Sequence, residues 1–281
     1  MSEGLVLPSP TWFVGFGNMG RAILDGWRLG GLDLAPVTVI RPSGTAVEGT
    51  LTVTRFAEAG PVPAVVVLAV KPQKLDEIAP DLRRFLIAKT VLVSLLAGVE
   101  AASLRHRFPG VAAIVRAMPN LPVAVRRGVT GLYSPDADRE TQNLLNNLFS
   151  ALGFAMWMAD EGKLAALGSV AGAGPAYVAR FIAALAKAGE GRGLTPEIAA
   201  IIAQETVLGT AWMASTTRED MVSVAKRVAS PNGTTEAGLA VLDGDNHVLD
   251  RLLQATIDEA ARRGAELAAE ARSLEEATRL P

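Results

Sequence analysis

Three glycines, Gly15-x-Gly17-x-x-Gly20, follow directly on the apolar run Thr11-Trp12-Phe13-Val14, and their spacing predicts a chemistry. The first glycine lets the chain turn sharply off a strand. The second leaves room for an anion to approach the backbone, and the third lets helix and strand pack closely. A helix opening near Asn18 would present its unpaired N–H groups to that anion. The expectation is a dinucleotide site, with the pyrophosphate on the helix N-terminus. Glycine makes up 27 of the 281 residues, so the motif has weight only through the strand before it and the amphipathic helix after it.

A second stretch, Ala229 to Leu239, contains Ser230-Pro231-Asn232-Gly233-Thr234-Thr235. Ser230-Pro231 predicts a turn, Asn232-Gly233 supplies two positions tolerant of left-handed backbone, and Thr234 or Thr235 begins a helix. That helix N-terminus would suit a carboxylate. The same residues would also suit a plain capped helix, and the loop alone leaves both readings open.

Two basic residues stand where strands are expected to end. Val37 to Ile40 predicts a second strand, followed by Arg41-Pro42-Ser43-Gly44. An acidic residue here would accept from a ribose 2′-OH, whereas Arg41 with Ser43 suits a 2′-phosphate. NADPH is therefore expected over NADH, with NADH still possible. Arg41 lies 26 positions after Gly15, slightly beyond the usual spacing, and a solvated turn residue is the alternative. Lys71 follows the continuous apolar run Ala64 to Val70 and precedes Pro72, which cannot continue a ladder. It is expected near the cofactor's ribose and phosphates, unless it is a surface lysine.

These residues need a scaffold, and the hydrophobic pattern predicts one. Strands are expected at residues 11–14, 37–40, 51–53, 64–70, 90–96, 111–118 and 154–157, with helices after Asn18 and over 75–85, 101–108 and 142–152. Strand alternating with helix marks an α/β fold with a doubly wound parallel sheet, Rossmann-like, over residues 1–159. From about Asp160 no strand pattern follows, and Ala and Gly dominate. One long apolar helix over 164–187 implies burial by neighbours and suggests an oligomer interface. Thr195-Pro196-Glu197 starts another, running to about Ala214. A further helix is expected from Thr217 to Ala229, and a last one carries Leu249, Leu252, Leu253, Thr256, Ile257 and Ala260 on one face. Residues 160–281 are thus expected to form an all-helical domain for substrate binding and self-association.

Bulk properties narrow the classes. Net charge is −2, so no basic field points to nucleic acid or anionic lipid. Absence of cysteine excludes disulfides and thiolate catalysis. The first residues lack a basic and an apolar signal region. The charge-free run 164–179 is short for a membrane span and contains Gly168, Gly172, Gly174 and Pro175. A soluble cytoplasmic protein without a metal site is expected. His106, between two arginines, is expected on the surface, and His247 at a helix start.

Taken together, Val14-Gly15-Phe16-Gly17-Asn18-Met19-Gly20, Ala69-Val70-Lys71-Pro72-Gln73, Leu96-Ala97-Gly98-Val99, Arg116-Ala117-Met118-Pro119-Asn120-Leu121-Pro122, Gly172-Ala173-Gly174-Pro175-Ala176-Tyr177 and Ser230 to Thr235 resemble the pyrroline-5-carboxylate reductases. The last two are the specific pieces. The resemblance implies hydride transfer from NAD(P)H to the C=N bond of 1-pyrroline-5-carboxylate, giving L-proline. It implies a cofactor site made by Gly15, Phe16, Gly17, Asn18, Met19, Gly20, Arg41, Ser43, Ala69, Val70, Lys71, Pro72, Ala97, Met118 and Asn120. It implies a substrate carboxylate held by Ser230, Asn232, Gly233, Thr234 and Thr235, with Thr235 donating to the imine nitrogen. It also implies a homodimer, able to assemble into a higher homo-oligomer. Two residues depart from the pattern: Ala173 stands where a serine is usual, and Asn232 where a glycine is usual. Asn is the non-glycine residue most tolerant of positive φ, so the turn can survive.

The chemistry fits the residues. Imine reduction needs a placed hydride and a proton for nitrogen, and a basic imine arrives partly protonated, so positioning and a weak donor suffice. No Tyr-x-x-x-Lys exists, because Phe181 stands at that spacing from Tyr177. A β-hydroxyacid dehydrogenase would follow Lys163 with an asparagine one turn on, where Ala166 and Leu167 stand. A reductase of another cyclic or acyclic imine, a β-hydroxyacid dehydrogenase-like oxidoreductase and a non-catalytic NADPH-binding protein are the alternatives.

Overall fold

The computed structural model describes residues 5–244 and 247–279. Eight strands form one sheet: β1 (Thr11–Val14), β2 (Val37–Ile40), β3 (Leu51–Val53), β4 (Val65–Leu68), β5 (Val91–Ser94), β6 (Ala113–Pro119), β7 (Gly128–Tyr133) and β8 (Gly153–Trp157), in the order β3-β2-β1-β4-β5-β6-β7-β8. All neighbours run parallel except β6 and β7. The order reverses between β1 and β4, so the carboxyl ends of those two strands flank the crevice where such sheets take ligands. Helices α1 (Asn18–Leu29), α2 (Leu75–Leu82), α3 (Ala101–Arg107) and α4 (Arg139–Ser150) accompany the sheet.

Strand alternation sends successive side chains to opposite faces. Phe13 enters one core with Ile23, Trp27, Val67, Val93, Leu132 and Phe149, while Trp12 enters another with Leu68, Leu82, Leu92, Leu104 and Ile114. Trp27 anchors the first core. Its ring meets Phe13 edge-on at 5.9 Å, and its Nε1 donates to the Leu148 carbonyl at 2.9 Å. Gly26 beside it is obligatory, since a Cβ there would overlap the Val123 carbonyl oxygen.

Several elements differ from the sequence expectation. β7 was not anticipated: its two glycines dilute the strand pattern, and its antiparallel pairing with β6 breaks the strand–helix alternation. Gly131 on β7 has a packing reason, because a Cβ there would meet Leu164 Cδ1 at 2.9 Å. The helix expected over 75–85 is α2 followed by a 3-10 turn, Arg83–Phe85. The single long helix expected over 164–187 is three pieces: α5 (Glu161–Leu167), a π-helical segment (Gly168–Gly172) and α6 (Gly174–Glu190).

The chain divides into two compact units, Met1–Ala173 with Ala260–Pro281, and Gly174–Glu259. The second is helical, with α6, α7 (Pro196–Thr217), α8 (Met221–Val228), α9 (Thr234–Asp243) and the start of α10 (Val248–Arg279). Thr195 caps α7 by accepting from the Ile198 N–H at 3.4 Å. Thr217 ends α7 rather than starting the next helix. Arg218 turns left-handed at φ 57°, and Asp220 caps α8 through the Ser223 N–H at 3.0 Å. The hydroxyls of Thr206, Thr210, Thr216 and Thr217 donate to carbonyls one turn back, which leaves the helix surface apolar despite them.

Asp136 ties β6, β7 and α3 together. Its Oδ1 accepts from the Ile114 N–H and the Ser134 hydroxyl, both at 3.0 Å, and its Oδ2 from Arg105 at 2.5 Å. Burial pushes its pKa up, but the Ile114 N–H, Arg105 and Ser134 outweigh it and hold the carboxyl below its ordinary value of 3.8. A depressed folded-state pKa gives stability that is present above the unfolded value and lost as pH falls through the folded one. Asp136→Asn is therefore expected to cost about 1–2 kcal/mol at pH 7, allowing for solvent screening. The deficit should shrink below about pH 4. Urea unfolding at both pH values checks this; an equal deficit at both would mean that charge plays no part.

Candidate active site

The glycine loop joins β1 to α1 at the switch point. Gly15 adopts φ 83°, and a Cβ on it would lie 2.6 Å from Val70 Cγ1 and 2.9 Å from the Ala69 carbonyl carbon and oxygen. Ala69 and Val70 thus wall the turn, and the Ala69 N–H donates to the Val14 carbonyl at 2.8 Å. Gly17 is the opposite case, with nothing within 4 Å of a Cβ built on it. It is also the N-cap of α1, with no side-chain acceptor on the first N–H groups and no acid in the first turn. Asn18 and Met19 open the helix. Gly20 is buried, with Phe16, Ala69 and Phe13 at 3.3–3.8 Å from its ideal Cβ position, which is the close helix–strand approach expected of it.

Arg41 follows β2. Its backbone is held to Val53 on β3, and its guanidinium lies over the Phe16 ring, 5.5 Å from the centroid. Its side chain makes no ion pair among the described residues, so the fork remains free beside the glycine loop. Ser43 sits in the same exposed turn and accepts from the Thr45 N–H at 3.3 Å. Lys71 precedes the 3-10 turn Pro72–Lys74 and is exposed. Lys74 is engaged with Glu77 at 2.5 Å, while Lys71 makes no ion pair among the described residues. Ala97 is exposed beyond the end of β5. Gly98 next to it has φ 75°, and a Cβ there would come within 3.2 Å of the Leu267 and Ala268 backbone. That return of α10 to the end of β5 had no signal in the sequence.

Met118 and Asn120 both make contacts within the fold. Asn120 is buried; its Oδ1 accepts from the Val129 N–H at 2.8 Å, and its Nδ2 donates to the Ala171 carbonyl at 3.0 Å. Met118 lies against Gly168, where an added Cβ would overlap its Sδ.

In the second unit, Asn232 adopts the left-handed conformation expected of it, at φ 56°. Gly233 is the N-cap of α9, again with no side-chain acceptor, and its N–H donates to the Ser230 carbonyl at 3.0 Å. A Cβ at Gly233 would lie 2.9 Å from the Ser230 carbonyl oxygen and 2.5 Å from its Oγ, so the tight turn favours glycine. Thr234 is the first helical residue and Thr235 the second, so neither is the cap. The hydroxyls of Ser230, Thr234 and Thr235 make no hydrogen bond among the described residues and are free for a ligand. Glu236 went unassigned in the sequence. Its carboxylate accepts from the Asn232 N–H at 2.7 Å and braces the turn from within the helix. Part of the signal was present: an acid three residues after the cap is placed to reach back as in a capping box, and here it takes the N–H one residue before the cap.

His106 is exposed, and His247 precedes α10 with its carbonyl accepting from the Arg251 N–H at 3.0 Å. No cluster of metal-ligating residues occurs among the described residues.

Comparison with known proteins bears on both units. The family described as pyrroline-5-carboxylate reductase dimerisation matches residues 161–267, and the family described as NADP oxidoreductase coenzyme F420-dependent matches residues 12–98. A pyrroline-5-carboxylate reductase of Pseudomonas aeruginosa is 35% identical, over 91% of this chain and 96% of its own length. The solved structure of such a reductase from Coxiella burnetii superposes with a TM-score of 0.84 at 32% identity, covering 93% of this chain and 99% of that one. The Plasmodium falciparum pyrroline carboxylate reductase, solved with NADP bound, shares the fold at a TM-score of 0.83 and 22% identity, covering 94% of this chain and all of that one.

Proposed function

This chain belongs to the pyrroline-5-carboxylate reductase family, and from that premise we propose how its residues carry the reaction. It reduces the C=N bond of 1-pyrroline-5-carboxylate with NAD(P)H, giving L-proline. The observation that carries the assignment of residues is the pair of helix N-termini at Gly17 and Gly233, each with a glycine cap that brings no side-chain acceptor of its own; at the second, the first-turn Glu236 is spent on the Asn232 N–H. A glycine cap leaves the first-turn N–H groups to a ligand anion, and two anions are what the reaction brings: a pyrophosphate and a carboxylate.

The dinucleotide fits the first unit. Space over Gly17, the wall of Ala69 and Val70 behind Gly15, and the absence of a first-turn acid suit a pyrophosphate over Gly15 to Gly20. Arg41, steadied by Phe16, and Ser43 would take the adenosine 2′-phosphate, which favours NADPH. Lys71, Pro72 and Ala97 would line the ribose and nicotinamide end. When bound, the nicotinamide supplies the hydride. In the second unit, the Ser230 to Thr235 turn would hold the substrate carboxylate, with the Thr235 hydroxyl donating to the imine nitrogen. No strong base is needed: as the carbon gains hydride, the basic nitrogen would take the Thr235 hydroxyl proton, which solvent water replaces.

We further assign residues 1–159 to the cofactor and residues 160–281 to substrate and self-association, in a cytoplasmic homodimer that can assemble further. Large apolar side chains support the dimer. Val178, Phe181 and Leu185 on α6, and Ile198, Ile201, Ile202, Leu208 and Trp212 on α7, are all exposed in one chain. Both stretches, Glu161–Glu190 and Pro196–Thr217, are long and apolar enough by composition to cross a membrane. A second copy of the chain is the occupant favoured here, since the family matched over them is described by its dimerisation.

The test is oxidation of NADPH by purified protein with 1-pyrroline-5-carboxylate, run beside NADH. Saturable turnover to proline is expected; bound NADPH without turnover would overturn the reading. In the same assay, Arg41→Asp is expected to raise KM for NADPH about tenfold more than KM for NADH, because a carboxylate repels the 2′-phosphate that the guanidinium would grip. Equal losses for both cofactors would remove Arg41 from that role.

A further inference from the structure

Alternate residues of β6 and its extension, Arg116, Met118 and Asn120, lie two apart and so share one face of the strand. Each meets the segment that leads out of the first unit, and they meet it in order. Arg116, only 6% exposed, is bonded to the carboxylate of Glu161 at the start of α5. The other oxygen of Glu161 accepts from the Ala101 N–H at 2.8 Å, which ties in the start of α3 as well. Met118 presses on Gly168, the first residue of the π-helical segment. Asn120 donates to the carbonyl of Ala171, inside that segment, at 3.0 Å.

A π-helical turn is rare and less favourable than the α-helix it interrupts, so it needs something outside the helix to hold it. Here two of the outside contacts, from Met118 and Asn120, fall on the turn itself, and the third, from Arg116, fixes the start of the helix that enters it. Gly168 gives Met118 its place only by lacking a Cβ, and Asn120 supplies a donor where the widened turn alters the carbonyl ladder. If the turn relaxed to α-helix, the chain beyond it would advance by one residue of phase, about 100° of rotation and about 1.5 Å of rise. Gly172 and Ala173 would then present different atoms to the same surroundings.

We propose that Arg116, Met118 and Asn120 form a bracket that locks the π register of Gly168–Gly172. They are positioning residues for the reduction, and Met118 and Asn120 are not cofactor ligands. This rests on the reading that the protein reduces 1-pyrroline-5-carboxylate. It deepens that reading by separating residues that hold NADPH from residues that hold the helix leading toward the substrate unit. The Asn120 amide is engaged at both ends: Nδ2 donates to Ala171 in the π segment, while Oδ1 accepts from the Val129 N–H and anchors the side chain to β7.

Asn120→Ala, Gly168→Ala, Met118→Ala and the double variant Gly168→Ala with Met118→Ala test the bracket in the full-length enzyme. The readouts are the NADPH dissociation constant from nicotinamide fluorescence, kcat and KM for the imine, and the melting temperature. Asn120→Ala is expected to bind NADPH within about twofold of wild type while kcat/KM for the imine falls about ten- to a hundredfold, the scale of a misplacement near 1 Å. Gly168→Ala should behave alike. Shortening Met118 should make room for the new Cβ, so the double variant recovers part of the turnover and melts above Gly168→Ala alone. NADPH affinity falling in step with turnover in Asn120→Ala would make Asn120 a cofactor ligand and overturn the proposal. Full turnover in Asn120→Ala, or no recovery in the double variant, would do the same. Absence of turnover in the wild-type enzyme would instead sink the functional reading, and the melting temperatures of the single and double Gly168 variants would still decide the bracket.

Discussion

Thr235→Ala is expected to lower kcat for 1-pyrroline-5-carboxylate by about ten- to a thousandfold, with the KM for NADPH unchanged and the melting temperature no lower. The size follows from losing one positioned donor at a reacting atom, which typically costs one to a few powers of ten. Cofactor and stability should be spared for reasons specific to this site. Thr235 is the second residue of α9, whose cap is Gly233, and its hydroxyl makes no hydrogen bond among the described residues. Alanine is also the better helix former, so the fold loses nothing when the side chain is cut back. Thr235→Ser should keep most of the rate, because the hydroxyl survives. Steady-state kinetics beside a thermal melt check this, and an unchanged kcat would remove Thr235 from the mechanism.

The second large effect distinguishes two glycines two residues apart. Gly15→Ala is expected to destabilise the protein by about 2–4 kcal/mol, combining the penalty of an L-residue at positive φ with overpacking. Its φ is 83°, and the new Cβ would press on Val70 and on the Ala69 backbone, which continues the central strand β4, is bonded to Val14 and cannot yield as a side-chain tip would. NADPH binding should be lost along with the turn. Gly17→Ala should be nearly neutral in stability, since its Cβ would meet nothing within 4 Å. It should nevertheless weaken NADPH more than tenfold, because that open space is where the pyrophosphate would lie. Denaturant unfolding and cofactor titration of both variants settle the contrast. A Gly17→Ala protein with normal affinity would mean that the pyrophosphate lies elsewhere.

Some of this was written locally. An apolar strand, a glycine turn and an amphipathic helix are decided by neighbours in the chain, and β1, Gly15 to Gly20 and α1 form as their sequence predicts. Asn232 at positive φ is equally local, since asparagine bears that conformation best among non-glycine residues. β7 was not legible because its antiparallel pairing with β6 breaks the strand–helix alternation, and its glycines serve close packing, Gly128 on Val123 and Gly131 on α5, instead of strand propensity. The start of α8 was misplaced because Thr217 and Asp220 are both good caps, and the left-handed Arg218 chose between them.

The sequence by itself determined which chemistry is present: a glycine-lined strand-to-helix turn, an arginine where an acid would mark NADH, and a Ser230 to Thr235 loop ending in hydroxyls. Those are properties of residue type and spacing within a few positions. Only the tertiary structure decided which of those side chains are free to meet a ligand. Arg41 rests on Phe16 and makes no ion pair among the described residues, whereas Asn120, in an equally suggestive motif, spends its amide on Val129 and Ala171. The physical reason is that a hydrogen-bonding group is available only when no buried partner claims it, and Ala171 lies 51 positions from Asn120 along the chain. No local pattern encodes that distance.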